Sequence, residues 1–301
     1  MGGPERALVV GGAGFIGSHL VERLLLDGIA VEVVDDLSTG SLAHLADARA
    51  LGASLKIHHL SAADDDFVGL VSLRRPDVVY HLAAAAPADA PVSAIADRWA
   101  LSAAVAHAAV GAGVAKLVTV LPAIELYGQP AARDLPVKER AFAPWGLRGV
   151  TARAVVDMLT VLRQTRDLEF SALALATVYG PRQPATGTVG EVLDAALTGR
   201  SPVLVGDERC SDDYVFVDDV VDALVRAGAR GSGLVINIGT GVQTTLADLW
   251  AVAAGVDASA PEFVRAPPGR PERFAVSPVR ARIHLDWSPW TDLEHGLEQL
   301  R

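Results

Sequence analysis

The chain lacks the residues that would make it a disulfide-stapled, metal-bound, membrane-spanning or polyanion-binding protein. Its single cysteine, Cys210, excludes an internal disulfide and leaves a zinc site without a ligand set. No apolar run is long enough to cross a bilayer. The most apolar stretch, Leu101 to Val114, is alanine-rich, carries His107 and two glycines, and is followed by Lys116. Positive charge is also scarce, and the net charge of -10 gives no footprint for nucleic acid. Met1 to Arg6 run straight into a strand pattern with no signal peptide, so a cytoplasmic location is expected. Tyrosines are few, and none occurs between Tyr127 and Tyr179.

Glycine is plentiful, and three of its positions are informative. Leu8 to Val10 form an apolar strand that runs into Gly11, Gly14 and Gly17 and then a helix from about Phe15 to Leu26, which Gly28 ends. Gly11 permits the tight turn, Gly14 lets backbone approach a pyrophosphate, and Gly17 lets helix pack on strand. The first-turn amides and the positive end of the helix dipole suit an anion. The next β-branched run, Ala30 to Val34, closes on Asp35 and Asp36, about 20 residues after the glycines, where a carboxylate accepts hydrogen bonds from a ribose. A carboxylate there repels a 2′-phosphate, so the pattern points to NAD rather than NADP.

Short β-branched runs alternate with alanine- and leucine-rich helical patterns, which predicts an α/β fold with a doubly wound parallel sheet of the Rossmann type. The candidate strands are Ala7 to Val10, Ala30 to Val34, Leu55 to His58, Val78 to His81, Leu117 to Val120 and Ser171 to Ala176. After Pro181 the texture shifts to turns, prolines and glycines. Residues 1–180 are therefore expected to form the dinucleotide-binding domain, with a return segment near 214–240, and residues 181–301 a smaller C-terminal substrate-binding domain.

Several words along the chain resemble the extended short-chain dehydrogenase/reductases of the NAD-dependent nucleotide-sugar epimerase/dehydratase family. They are GGAGFIGSHL at Gly11, DDLSTG at Asp35, YHLAA at Tyr80, ELYG at Glu125, VYGPRQ at Val178, YVFVDDV at Tyr214, NIGTG at Asn237 and PPGRPE at Pro267. The resemblance implies bound NAD, a nucleoside diphosphate sugar and a homodimer. It assigns cofactor contacts to Gly11, Gly14, Phe15, Ile16 and Gly17, to Asp35, Asp36, Ser38, Thr39 and Gly40, and to Leu82, Ala83 and Ala84. Thr177 and Arg270 fall at its sugar-nucleotide end. His59 stands where an adenine-contacting aspartate is usual, Arg98 where an asparagine is expected, and Asp212 where the family carries an arginine.

In that family a tyrosine, a lysine four residues later and an earlier serine or threonine deprotonate a sugar hydroxyl. Here the hydroxyl position falls on Ala123, and no serine or threonine occurs from Val120 to Val150. The tyrosine and lysine should lie between Trp145 and Arg153, a stretch that contains neither. Indole has only a donor, and guanidinium does not lose its proton, so neither replaces the shuttle. Arg148 or Arg153, according to register, could supply the lysine's charge. Glu125 is the surviving acidic candidate for a general base, against a bland role as the cap of a loop amide. His81 is read as a buried, satisfied histidine, Tyr179 and Tyr214 as structural residues near the sugar, and Cys210 as a thiol raised by surrounding acids.

Two readings follow. One is a nucleotide-sugar epimerase or dehydratase with a reassigned base. The other is a non-catalytic NAD or nucleotide-sugar binding or regulatory subunit. A cofactor-independent isomerase would not need the glycine loop. The apolar helices near Asp97 to Gly111 and Val150 to Gln164 are expected to pair across a dimer axis.

Overall fold

The computed structural model describes residues 3–52, 54–83, 91–139, 142–255, 259–266 and 270–300. Its centre is a parallel sheet. The strands β1 (Arg6–Val10), β2 (Ala30–Asp35), β3 (Leu55–His59), β4 (Val78–His81), β5 (Lys116–Pro122) and β6 (Phe170–Leu175) fall within two residues of the predicted runs at each end. A seventh strand, Leu234–Ile238, lies beside β6. The six-strand expectation is corrected on this point. A five-residue Leu-Val-Ile-Asn-Ile run set among glycine turns has too little length or alternation to stand out in sequence, and pairing with β6 gives it its place.

The sheet order is the Leu234–Ile238 strand, then β6, β5, β4, β1, β2 and β3. From β1 the chain winds one way through β2 and β3, then returns to β4 on the other side of β1. The carboxyl ends of β1 and β4 therefore diverge into a crevice, where such sheets bind ligands. Every residue of β4 and β6 is buried, as expected for strands covered on both faces.

Helix α1 (Phe15–Leu26) follows the glycine turn and lies against the Val217–Ala229 helix. The loop after β6 is fastened to α1 by Arg182, whose Nη2 donates to Glu22 at 2.7 Å and whose Nη1 donates to Ser18 at 3.3 Å. Three two-stranded pairings, including Thr177–Tyr179 with Tyr214–Phe216, extend the structure beyond the carboxyl edge of the sheet. Among the described residues no helix is long and apolar enough to cross a membrane, and no group of three or more His, Cys, Asp or Glu side chains could hold a metal ion.

Gly69 lies exposed within the Asp66–Arg74 helix, with open space where a Cβ would stand. Gly69→Ala is expected to stabilise the protein by about 0.5–1 kcal/mol, because alanine loses less backbone entropy in a helix. A urea melt checks this, and a lowered midpoint would contradict it.

Candidate functional site

The glycine turn works by removing side chains from places already filled by backbone. A Cβ on Gly17 would stand 2.1 Å from the Gly11 oxygen and 2.8 Å from the Gly12 Cα, so helix and turn touch directly. Gly11 takes φ +83°, and a Cβ there would meet Ala83 N at 3.0 Å. Helix α1 has no side-chain cap, which leaves its first-turn amides for a ligand. A cavity of about 590 Å³ opens above this turn.

Gly11, Gly14, Phe15, Ile16, Gly17, Asp35, Asp36, Ser38, Thr39, Leu82 and Ala83 all line that cavity. Gly40 does not. A Cβ there would press on Asp35 and on Ala13 backbone, so Gly40 shapes the wall from behind. Ala84 lies outside the described residues. Asp35 also has a structural task. Its oxygens accept the Ala13 amide at 2.8 Å and the Leu37 amide at 2.9 Å, tying β2 to the glycine turn. Asp36 is the more exposed acid and binds Ser38 through both its amide and its hydroxyl.

Residues that sequence reasoning left out of the cofactor contacts also line the cavity: Leu60, Ser61 and Ala62 follow β3, and Pro184 and Thr186 arrive from the loop fastened by Arg182. His59 is not part of the wall. Its ring reaches the Asp36 carbonyl at 3.2 Å, and the strand end hands the position to Leu60 and Ser61. Arg98 lines the cavity as well, with Nη1 donating to the Ala83 carbonyl at 3.4 Å.

His81 is only half satisfied. Ser102 donates its hydroxyl proton to Arg98 O, so its oxygen must accept from His81 Nε2–H at 2.9 Å. That leaves Nδ1 buried with no partner. Burial first, then the Arg98 charge, pushes the ring down to about 3, so it stays neutral.

A second cavity of about 350 Å³ adjoins the first, and Ile16 and Leu82 line both. Its floor is the carboxyl end of β5 and β6, from Val120 to Ala123 and from Leu175 to Thr177. Four polar side chains converge here: Glu125, Arg148, Thr177 and Asp212. Arg148 Nη1 lies 3.0 Å from Glu125 Oε1, and Glu125 is only 8% exposed. Arg148 Nε is buried without a hydrogen-bond partner.

Of the two arginines, Arg148 lines the second cavity and Arg153 does not. Arg153 points away, paired with Asp157 at 2.9 Å and stacked over Phe142. The fold also explains why no side chain follows Arg148. A Cβ on Gly149 would stand 2.2 Å from the Glu125 carbonyl oxygen, and the Trp145 amide donates to the same oxygen at 2.7 Å. The Gly146–Arg166 helix therefore closes on the Glu125 turn by backbone contact.

No tyrosine lines this cavity. Tyr127 donates to Asn237 at 2.7 Å, and Tyr179 packs on Gly296 with its hydroxyl on the Asp292 carbonyl. Tyr214 lines a third, water-sized space with Asp212, Cys210 and Arg270. Arg270 Nη1 donates to Val205 O at 3.1 Å. Burial is the first cause of the raised Cys210 thiol, and the Asp207 charge adds to it, so the earlier emphasis on acids alone is corrected.

Asp212 forms the partition between the second and third spaces, lining both. It accepts the Thr177 hydroxyl at 2.6 Å and the Asp213 amide at 2.8 Å, and burial pushes its carboxyl up to about 7. Its place is fixed by Asp213, which is fully buried and gathers Thr240, Gly241 and Val276 amides.

Comparison with known proteins gives a consistent result. Residues 7–239 match the model of the NAD dependent epimerase/dehydratase family. A UDP-glucose 4-epimerase of Mycolicibacterium smegmatis is 38% identical over 97% of this chain and 96% of its own. The crystal structure of a Thermotoga maritima UDP-glucose 4-epimerase with UDP-glucose is 30% identical, covers 98% of this chain and 96% of that one, and superposes with a TM-score of 0.87. A Thermus thermophilus UDP-glucose 4-epimerase in complex with NAD gives 0.88 at 28% identity, over 98% of this chain and 99% of that one.

Proposed function

The chain belongs to the NAD dependent epimerase/dehydratase family, and from that premise we propose that it binds NAD in the larger cavity and a nucleoside diphosphate sugar in the second, without tyrosine-led proton transfer. The fit of NAD rests on the cradle that a Cβ at Gly11 or Gly17 would fill and on the uncapped start of α1. Asp35 and Asp36 would meet the ribose, and the amides of Phe15, Ile16 and Gly17 the pyrophosphate. When bound, NAD supplies a hydride acceptor. Residues 1–180 with the return segment form the dinucleotide half, and residues 181–301 the sugar-nucleotide half.

The observation that carries this reading is the convergence of Glu125, Arg148, Thr177 and Asp212 on a cavity that shares Ile16 and Leu82 with the dinucleotide cavity. The stretch from Trp145 to Arg153, where the family is expected to keep its tyrosine and lysine, carries neither, and Gly149 within it has no room for a side chain. The lysine and tyrosine functions are thus both absent. Glu125 is held by a guanidinium that cannot give up its charge, which favours a binding or regulatory subunit.

A second reading has its own support, because Glu125 sits at the carboxyl end of β5 in the cavity wall, within reach of a ligand as a reassigned base. Absorbance at 340 nm separates the two. With NAD and single-turnover amounts of UDP-, dTDP- or GDP-sugars, no reduced nicotinamide is expected, although NAD and a sugar nucleotide should each raise the melting temperature. A rise at 340 nm that Glu125→Gln removes would overturn the binding reading in favour of the reassigned base.

The Val92–Gly111 and Gly146–Arg166 helices pack on each other and expose Trp99, Val150 and Val161. These apolar side chains on neighbouring helices support a homodimer built through that face. The location proposed is cytoplasmic.

A further inference from the structure

We propose that Arg182 is the positioning residue of the dinucleotide cavity, the side chain that presets the wall formed by Pro184 and Thr186 and thereby sets how tightly NAD is held. The proposal rests on the assignment of NAD to that cavity and adds to it a residue that is not itself part of the wall.

Three parts of the wall come from separate stretches of the chain. The first turn of α1 contributes Phe15, Ile16 and Gly17, the segment after β2 contributes Ser38 and Thr39, and Pro184 and Thr186 arrive from the loop after the Thr177–Tyr179 strand. Arg182 is tied to all three. Its Nη1 donates to the Ser18 hydroxyl oxygen, and that hydroxyl donates in turn to the Phe15 carbonyl at 3.0 Å, which carries the tie into the first turn of α1. Its Nη2 donates to Glu22 on α1 at 2.7 Å and to Asp47 at 3.0 Å, on the Ala46–Ala50 helix that follows the Ser38 segment. Next to it, His19 Nε2 donates to the Pro181 carbonyl at 2.9 Å, and the same ring stands edge-on to Phe15.

Residues 182–186 have little else to hold them. Among the described residues their remaining hydrogen bonds stay within one turn, from the Gln183 amide to the Gly180 carbonyl and from the Gly180 amide to the Gln183 side chain. Arg182 takes φ +64°, a left-handed conformation disfavoured for a residue with a side chain, so the guanidinium contacts offset a backbone that would otherwise relax. Its main tie is not a fully solvated ion pair. The Arg182 and Glu22 side chains are 19% and 21% exposed, whereas Asp47 is 81% exposed, so Glu22 is the partner that counts. A ligand that has to order its own wall binds more weakly than one that meets the wall in place, because the ordering entropy is drawn from the binding free energy. Cutting the tie therefore lowers affinity, chiefly through faster release.

Calorimetric titration with NAD, together with stopped-flow fluorescence of NADH release, tests the proposal. Arg182→Met is expected to weaken NAD at least about tenfold and to speed release by a similar factor. Glu22→Ala should move affinity in the same direction. Arg182→Lys should recover part of it by restoring a charge opposite Glu22, and Asp47→Asn should change it by less than about twofold. The protein carrying both Arg182→Met and Glu22→Ala should bind no more weakly than Arg182→Met alone, since both remove one tie.

Affinity within about twofold of wild type in Arg182→Met, or in Glu22→Ala if the first variant does not fold, overturns the proposal alone. No binding of NAD by the wild-type protein overturns the assignment of the cavity and the proposal with it. Hydrogen exchange without NAD separates positioning from general stability. Glu22→Ala should speed exchange over residues 182–187 and leave β6 as in wild type. An equal gain in both would mark a loss of global stability only, and would overturn the role given to Arg182.

Discussion

Gly17→Ala is expected to abolish measurable NAD binding and to lower stability by about 3 kcal/mol or more. The added methyl would occupy a point 2.1 Å from the Gly11 oxygen and 2.8 Å from the Gly12 Cα, both backbone atoms that cannot rotate aside. Helix α1 would have to move off the turn, and with it the first-turn amides that face the cavity. The conformation of Gly17 is ordinary, so the effect comes from space alone, in contrast to Gly11 with its positive φ. Calorimetry with NAD and a urea melt check the two parts. Tight NAD binding by the alanine variant would show that the turn is not the pyrophosphate cradle. Gly69→Ala, with the same chemistry in open space, is the control.

Arg148→Met is expected to cost about 2–4 kcal/mol, most of it because Glu125 is left buried and charged. Glu125 is 8% exposed and its nearest cation is the Arg148 guanidinium at 3.0 Å. The Arg148 side chain is itself partly open to the cavity, so water would offset some of the loss, which sets the figure below that of a fully enclosed pair. Adding Glu125→Gln should restore a large part, with a coupling of about 1–2 kcal/mol in a double-mutant cycle read by denaturant melting. Strict additivity of the two substitutions would mean that the pair does not act as a unit. The Glu125 position in the cavity wall would then need another explanation.

The particular residues show where sequence reasoning succeeded. Gly11, Gly14 and Gly17 sit where a strand must turn tightly and a helix must meet it, so their spacing records contacts made within a few residues. The strands β1 to β6 were legible because burial on both faces leaves continuous β-branched runs. That the stretch from Trp145 to Arg153 holds no tyrosine and no lysine was also legible, since an absent residue type needs no coordinates.

Other features needed the fold. Nothing local distinguishes Arg148 from Arg153, yet helix phase puts one on Glu125 and the other over Phe142. The contribution of Leu60, Ser61, Pro184 and Thr186 to the cofactor cavity depends on where β3 ends and on Arg182 fastening a distant loop to α1. Asp35 is expected from sequence as a ribose ligand, and only the structure shows that it holds the turn.

The sequence by itself determined the wound α/β framework, the glycine turn and the absence of tyrosine and lysine between Trp145 and Arg153. Each of these is set by residue type and by spacing over a few positions. The tertiary structure decided which charges meet. Glu125 with Arg148, and Asp212 with Thr177 and near Arg270, come from segments far apart in the chain, and the crossover that reverses the winding at β1 brings them to one edge of the sheet. Local propensity does not encode that convergence, because side chains from separate elements become neighbours only after the sheet has closed on its own order.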